Sequence, residues 1–160
     1  MDAAGLTILL KELEADCEVA SDAARKAALR LRQESPGQME ACAYELARLY
    51  NIVEKMLERI CDEFENHLEK RGDYHERLLQ RLSLDLQGLR PAFIPKDRVA
   101  DVRELKGFRH VMRHAYDLTL RRERLTELTV IGERVAAALP GWCNELGGKV
   151  RAEQGWNATA

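Results

Sequence analysis

The fold is decided by residues 6–31, LTILLKELEADCEVASDAARKAALRL. Small or apolar side chains recur there at alternating spacings of four and three residues, at Leu6, Leu10, Leu13, Cys17, Ala20, Ala24, Ala27 and Leu31. This spacing keeps them on one face of an α-helix. Alanine in the second half of the stripe predicts that another helix approaches closely there. We therefore expect a long amphipathic helix that packs against other helices.

A second long helix is predicted from about Pro36 to Glu69. The break at Ser35-Pro36-Gly37 precedes it, and proline suits a first helical turn because the missing N–H has no helical partner there. The same spacing of three and four continues at Met39, Cys42, Leu46, Leu49, Val53, Met56, Ile60 and Phe64. Two long helices joined by so short a break should pack antiparallel.

Three further helices complete the pattern. The third is predicted from about Tyr74 to Leu86, with Asp73 as its cap. After a loop with two prolines, Asp97 is a candidate cap for the fourth helix. Its buried stripe is predicted at Val99, Val102, Leu105, Phe108, Met112 and Ala115.

The fifth helix begins near Arg121 and carries a stripe that includes Trp142. Pro140-Gly141 should kink or split this helix, and Gly147-Gly148 should end it. We predict an all-α, antiparallel up-and-down bundle of four to five helices over residues 1–146, followed by a flexible tail over 147–160.

Composition excludes several classes of protein. The chain has 160 residues, 46% hydrophobic and 32% charged, which predicts one folded domain rather than a disordered chain. No apolar run approaches the roughly 18 residues of a membrane span, and no signal peptide is visible. The cysteines form no CxxC pair and occupy core positions, so we expect reduced thiols in a cytoplasmic protein, at Cys17, Cys42, Cys61 and Cys143.

The charge of the chain is unevenly distributed. The formal net charge is −2, yet residues 98–124 contain eight Lys or Arg against four Asp or Glu. A basic segment on an acidic protein predicts a local anion site. A solvated helix face explains the same charges about as well, and Arg121, Arg122 and Arg124 are most simply read that way.

The segment that indicates chemistry is residues 107–117, GFRHVMRHAYD. It places two arginines, two histidines and a tyrosine within eight residues of one predicted helix. Metal-independent cleavage of RNA needs a base for the 2′-hydroxyl proton, an acid for the leaving oxygen and a cation for the charge on phosphorus. Histidine supplies the first two functions, and arginine supplies a fork of donors that matches phosphate. A tyrosine can donate a hydrogen bond or stack on a base.

Helix geometry restricts how these residues cooperate. At about 100° per residue, Arg109 and His114 lie about 140° apart, whereas Arg109 and Tyr116 share a face. His110 and His114, four residues apart, also share a face. Either the helix bends, or a second copy of the chain completes the site across a two-fold axis. We therefore expect a homodimer.

Other interpretations of the histidines are weaker in this context. His110 and His114 have a spacing suitable for zinc, but no third ligand is evident, so we expect no metal and no cofactor. His114 taken alone is best explained as an ordinary polar helix residue. His67 and His75 are read as surface residues.

The pattern Arg109-x4-His114-x-Tyr116 resembles the motif of HEPN ribonucleases, in particular the HepT toxins of HepT–MntA toxin–antitoxin modules. His110 occupies a place that is often polar in these motifs. Three further segments resemble a HepT-like subgroup as well: the Gly72-Asp73-Tyr74-His75 turn, the Arg90-Pro91 loop and the sequence Phe108-Arg109-His110 at the start of the motif. Arg113 departs from the pattern, since many HepT sequences have an apolar or small residue there.

The resemblance implies an antiparallel bundle that dimerises through the region of the motif. It implies that Arg109 binds phosphate and His114 acts as general acid or base. His110 is an auxiliary or phosphate-binding candidate, and Arg113 either binds an RNA phosphate or the AMP or is a surface residue. It also implies that a cognate MntA-like nucleotidyltransferase antitoxin transfers AMP to Tyr116 and so silences the ribonuclease.

Three functions remain open from the sequence. The first is an RNA endonuclease toxin that AMPylation inactivates. The second is a non-catalytic nucleotide-binding partner of a nucleotidyltransferase, and the third is a structural helical adaptor. The presence of both Arg109 and His114 favours the first, because a nucleotide clamp needs no proton-transfer group.

Overall fold

The structure is a computed structural model, and it describes residues 1–65, 69, 72–114 and 117–156. The helices are α1 (Ala3–Arg32), α2 (Gln38–Glu65), α3 (Tyr74–Leu82), α4 (Val99–His114) and α5 (Arg122–Glu153). A 3-10 turn at Lys96–Arg98 precedes α4. The described residues contain no strand, only an isolated bridge between Leu86 and Arg90. The predicted all-α class is confirmed.

α1 and α2 form an antiparallel hairpin. Arg59 pairs with Glu12 and Asp16, whereas Arg48, earlier in α2, pairs with Asp22, later in α1. Pairing in opposite order requires that the helices run in opposite directions. The break between them contains Gly37 at φ 76°, a left-handed conformation that suits glycine.

α2 lies at the centre of the bundle and contacts α1, α3, α4 and α5. Its buried face is therefore broader than the predicted stripe and includes Tyr50, Leu57 and Cys61. The stripe of α1 is buried as predicted, apart from Leu10, which is partly exposed. All four cysteines are free and buried, as expected. No helix among the described residues has the length and apolar character needed to cross a bilayer.

Several predicted helix ends are wrong. α2 begins at Gln38, and Glu69 is not helical. α3 ends at Leu82, four residues before the predicted end, because the carbonyl of Leu82 accepts hydrogen bonds from the backbone N–H groups of Phe93 and Ile94, at 2.9 and 3.0 Å. The loop thus folds back and buries Phe93 and Ile94 in the core.

Neither residue that the sequence predicts as a helix cap has that role in the structure. Asp73 precedes α3 but its side chain makes no cap hydrogen bond, and it pairs instead with Arg77 at 2.9 Å. Asp97 lies inside the 3-10 turn rather than at the cap of α4.

α5 is one helix from Arg122 to Glu153, and it includes Pro140. The expectation that Pro140-Gly141 splits the helix is wrong, since Leu139 and Trp142 anchor both sides of the proline in the core. The expectation that Gly147-Gly148 ends the helix is also wrong. Gly147 is buried against Leu10 of α1, where a Cβ atom would come within 2.7 Å of the leucine side chain. α5 therefore extends into the segment predicted to be a tail, whose residues 157–160 lie outside the description.

A buried ion pair joins the loop after α3 to the end of α2. Arg90 is fully buried, and its Nε donates to Glu65 Oε1 at 2.6 Å. Its terminal nitrogens donate to the carbonyls of Leu84, Pro91 and Arg81 at 2.9–3.1 Å. Arg81 binds the other oxygen of Glu65 at 2.8 Å. A buried charge with so many partners holds the loop in one conformation.

We predict that Arg90→Met destabilises the protein by about 3–5 kcal/mol, because it leaves the Glu65 carboxylate buried without its main partner. Urea denaturation would measure the loss. Arg25→Met, which removes an exposed pair with Asp22, should change stability by less than about 0.5 kcal/mol.

The double variant Arg90→Met/Glu65→Leu should regain part of the lost stability, since no buried charge is left unpaired. Equal losses in the single and double variants would contradict the role assigned to the pair.

Candidate functional site

Arg109 lies on α4 and faces α2. Its Nε donates to Asn51 Oδ1 at 2.9 Å, and its Nη2 lies 3.6 Å from Glu54 Oε2. The Arg109 side chain is only 14% exposed. Nε is the only nitrogen of Arg109 that donates a hydrogen bond to the described residues. A guanidinium has five donors, so its terminal groups remain able to bind an anion.

Glu54 connects three helices at this point. Its side chain is 10% exposed, and its Oε1 contacts Nδ1 of His75 on α3, while its Oε2 faces Arg109 on α4. Burial raises the pKa of the neighbouring Tyr50; the Glu54 carboxylate raises it further, while the Arg109 guanidinium opposes both. The buried carboxylate therefore fixes both Arg109 and His75 relative to α2.

His114 lies on a different side of α4, in solvent. Its Nδ1 is 2.9 Å from the backbone carbonyl of His110. A carbonyl oxygen only accepts hydrogen bonds, so Nδ1 carries the proton of the neutral ring. Nε2 is then an unprotonated acceptor, which is the form that a general base requires.

His110 stacks on His114, with ring centroids 4.4 Å apart and planes inclined by 30°. Both side chains are exposed, as is Arg113 in the last turn of α4. The stack holds the two imidazoles side by side on one face, as the spacing of four predicts. Among the described residues, no group of three or more His, Cys, Asp or Glu side chains is arranged to hold a metal ion.

The chain does not bring Arg109 and His114 together. α4 is a single helix through His114, Arg109 turns towards α2, and His114 contacts the backbone of its own helix. The separation predicted from helix geometry is therefore present in the folded chain. Tyr116 and Ala115 lie outside the described residues, as does His67.

Most of the positive charge of residues 98–124 is already paired. Arg103 and Lys106 both bind Glu76, and these hydrogen bonds lower the pKa of Glu76 to about 2. Arg124 pairs with Glu104 and Glu127. Arg113 and Arg121 make no ion pair with the described residues and are exposed. Among the described residues, the arginines of this segment that are exposed and make no ion pair thus lie at the C-terminal end of α4 and at the start of α5, at Arg113, Arg121 and Arg122.

Sequence reasoning missed three residues of this arrangement, Asn51, Glu54 and His75. His75 is 41% exposed, but its ring binds Glu54 rather than projecting freely into solvent. A weak signal was present in α2, where Glu54 directly follows the core residue Val53. Polar residues beside an apolar stripe are common on any helix, so periodicity alone does not distinguish Glu54 from a surface carboxylate.

Comparison with known proteins identifies a family. A family model described as HepT-like protein matches residues 41–147, which run from α2 into α5 and include the whole of α4. No curated protein and no solved structure matches the chain.

The two motif residues should differ in their effect on stability. We predict that Arg109→Ala lowers the free energy of unfolding by about 1–2 kcal/mol, because it leaves the buried Glu54 carboxylate with one partner fewer. His114→Ala should change it by less than about 0.5 kcal/mol, since the side chain is exposed. Urea denaturation of the two variants gives the comparison, and equal losses would contradict the anchoring of Arg109 on α2.

Proposed function

The chain belongs to the HepT-like protein family, and on that premise we propose that it is a metal-independent RNA endonuclease toxin whose active site forms between two copies. Arg109 of one copy and His114 of the other are the proposed catalytic residues. The substrate, RNA, implies a cytoplasmic location.

The orientation of His114 carries this proposal. An exposed imidazole whose Nδ1 contacts a carbonyl and whose Nε2 makes no hydrogen bond to the described residues can accept a proton, whereas a nucleotide clamp needs only donors for phosphate. The separation of Arg109 from His114 within one chain supports the proposal that a second copy of the chain completes the active site. A two-fold axis near the C-terminal half of α4 would bring each arginine to the other copy's histidine.

The proposed reaction is transfer of the phosphodiester to the neighbouring 2′-oxygen. His114 Nε2 takes the proton of the 2′-hydroxyl, and that oxygen attacks phosphorus. The 5′-oxygen leaves as the P–O bond breaks and takes a proton from a second imidazolium, that of His110, whose ring stacks on His114. Arg109 binds a non-bridging oxygen and stabilises the added negative charge. The products are a 2′,3′-cyclic phosphate and a 5′-hydroxyl.

Regulation follows from the resemblance to HepT toxins. We propose that a nucleotidyltransferase antitoxin of the MntA type transfers AMP to Tyr116. The adenylyl group would add a bulky anion two residues from His114 and so exclude the RNA phosphate. His110 and Arg113, both exposed near His114, are proposed to bind flanking phosphates.

Mixing two inactive variants tests the shared site. Arg109→Ala and His114→Ala should each abolish cleavage of RNA in EDTA. Refolding or co-expressing the two together should restore roughly a quarter of wild-type activity, because half of a random mixture is heterodimer and each heterodimer has one intact site.

The matched control is a mixture of the Arg109→Ala variant with the double variant Arg109→Ala/His114→Ala. It should stay inactive, because no chain in this mixture carries Arg109. A mixture of the single variants that shows no recovery, together with an active wild type, would place both residues in one chain. Nucleotide binding by a wild type that never cuts RNA would favour the non-catalytic alternative.

Tyr116→Phe should retain ribonuclease activity and escape modification by the antitoxin, because the phenol oxygen is the proposed acceptor of AMP. Intact-protein mass spectrometry after incubation with the nucleotidyltransferase and ATP measures this. An AMP adduct on the Phe variant at the wild-type yield would exclude Tyr116 as the acceptor.

A further inference from the structure

A small cavity of about 220 Å³ lies beside the C-terminal half of α4. Gly107, Phe108 and Val111 form its wall on α4, and Leu118 and Leu120 of the connection to α5 form the opposite wall. Pockets for drug-sized ligands have volumes of about 300–1,000 Å³, so this cavity has room for a single ring system and little more.

The cavity lies on the side of α4 that carries the histidine of the motif rather than the arginine. His114 does not line it, but follows Val111 by three residues and Gly107 by seven, and these spacings put the three on one face of α4. Arg109 faces α2 on another side of the helix. A group bound in the cavity therefore lies on the same side of α4 as the exposed imidazole of His114.

The walls combine apolar surface with one available cation. Val111 is 42% exposed and Leu118 is 36% exposed, so a ligand can reach both apolar side chains from solvent. Arg121 also lines the cavity, is exposed and makes no ion pair with the described residues. Arg124 lines it too, but Glu104 and Glu127 already bind its guanidinium.

We propose that this cavity is a base-recognition site, which holds the nucleobase beside the phosphate that is cleaved. The apolar walls contact the faces of the base, and Arg121 binds the adjacent phosphate. This inference rests on the proposed ribonuclease function and names what would determine the sequence preference of cleavage. A nucleotide matches both parts of this lining. Bases bind on apolar and aromatic surfaces, and a guanidinium binds phosphate.

Gly107 keeps the cavity open. A Cβ atom at this position would meet nothing within 4 Å, so a side chain can be added here without disturbing the core. Gly148 on α5 is the matched control, because it is also a helical, exposed glycine with nothing within 4 Å of its Cβ position and it does not line the cavity. Methionine at either position is a better helix former than glycine, so both variants should fold.

Methyl NMR spectroscopy of the labelled full chain tests the proposal directly. AMP, GMP, CMP and UMP are titrated separately, and the methyl signals of Val111, Leu118 and Leu120 are followed. At least one nucleotide should shift these signals saturably. Gly107→Met should weaken that binding about tenfold or more, and Gly148→Met should leave it unchanged.

Three results would overturn the inference. They are the absence of any shift at these methyl groups, equal binding by Gly107→Met and wild type, or shifts that follow protein concentration instead of nucleotide. The last would show that a second copy of the chain covers the cavity.

An RNA cleavage assay separates this inference from the proposed function. If the wild-type protein cuts RNA but no nucleotide shifts the methyl signals, the base-recognition site is excluded and the proposed ribonuclease function stands. If a nucleotide shifts the methyl signals saturably but the protein cuts no RNA, the base-recognition site stands and the proposed ribonuclease function is excluded. With both correct, Gly107→Met cuts RNA with a weaker preference for the base at the cleavage site.

Discussion

The buried pair of Arg90 and Glu65 constrains the part of the bundle on which the candidate site depends. It fastens the loop after α3 to the last residue of α2, at a point where the chain must turn back towards α4. The same guanidinium binds two backbone carbonyls of the loop and one in the last turn of α3, so the loop has little freedom. Phe93 then packs edge-to-face on Trp142 of α5, at 5.9 Å between ring centroids. The start of α4 is thereby fixed relative to both α2 and α5.

From that start, helix geometry determines where each motif residue points. Val102, Leu105 and Phe108 are buried, and this sets the rotation of α4 about its axis. Arg109, next to Phe108, is consequently turned towards Asn51 and Glu54 of α2. His110 and His114 are carried to the solvent side. The same packing that anchors the arginine therefore keeps it away from the histidine, and for this reason the proposed function needs a second chain to complete the site.

The charges around α4 are arranged so that few of its cations are available to a ligand. Glu76 binds Arg103 and Lys106, and Arg124 is shared by two carboxylates. Among the described residues, Arg113 at the end of α4 and Arg121 and Arg122 before and at the start of α5 are exposed and make no ion pair. In the proposed function these arginines bind RNA phosphates, and the acidic remainder of the protein does not attract nucleic acid over its whole surface.

The sequence by itself determined the all-α class, the α1–α2 hairpin and the angular separation of Arg109 from His114, because each depends only on helical periodicity. It did not determine where helices end, since Leu82, Pro140 and Gly147 are governed by contacts with Phe93, the core and Leu10 that lie far away in the chain. Nor did it reveal the buried roles of Arg90 and Glu54, because a charged side chain reads as a surface residue until its partners are known. Only the tertiary structure placed Asn51 and Glu54 beside Arg109 and formed the cavity between α4 and the connection to α5. These arrangements join residues from different helices, and no local pattern in the sequence records which helices meet.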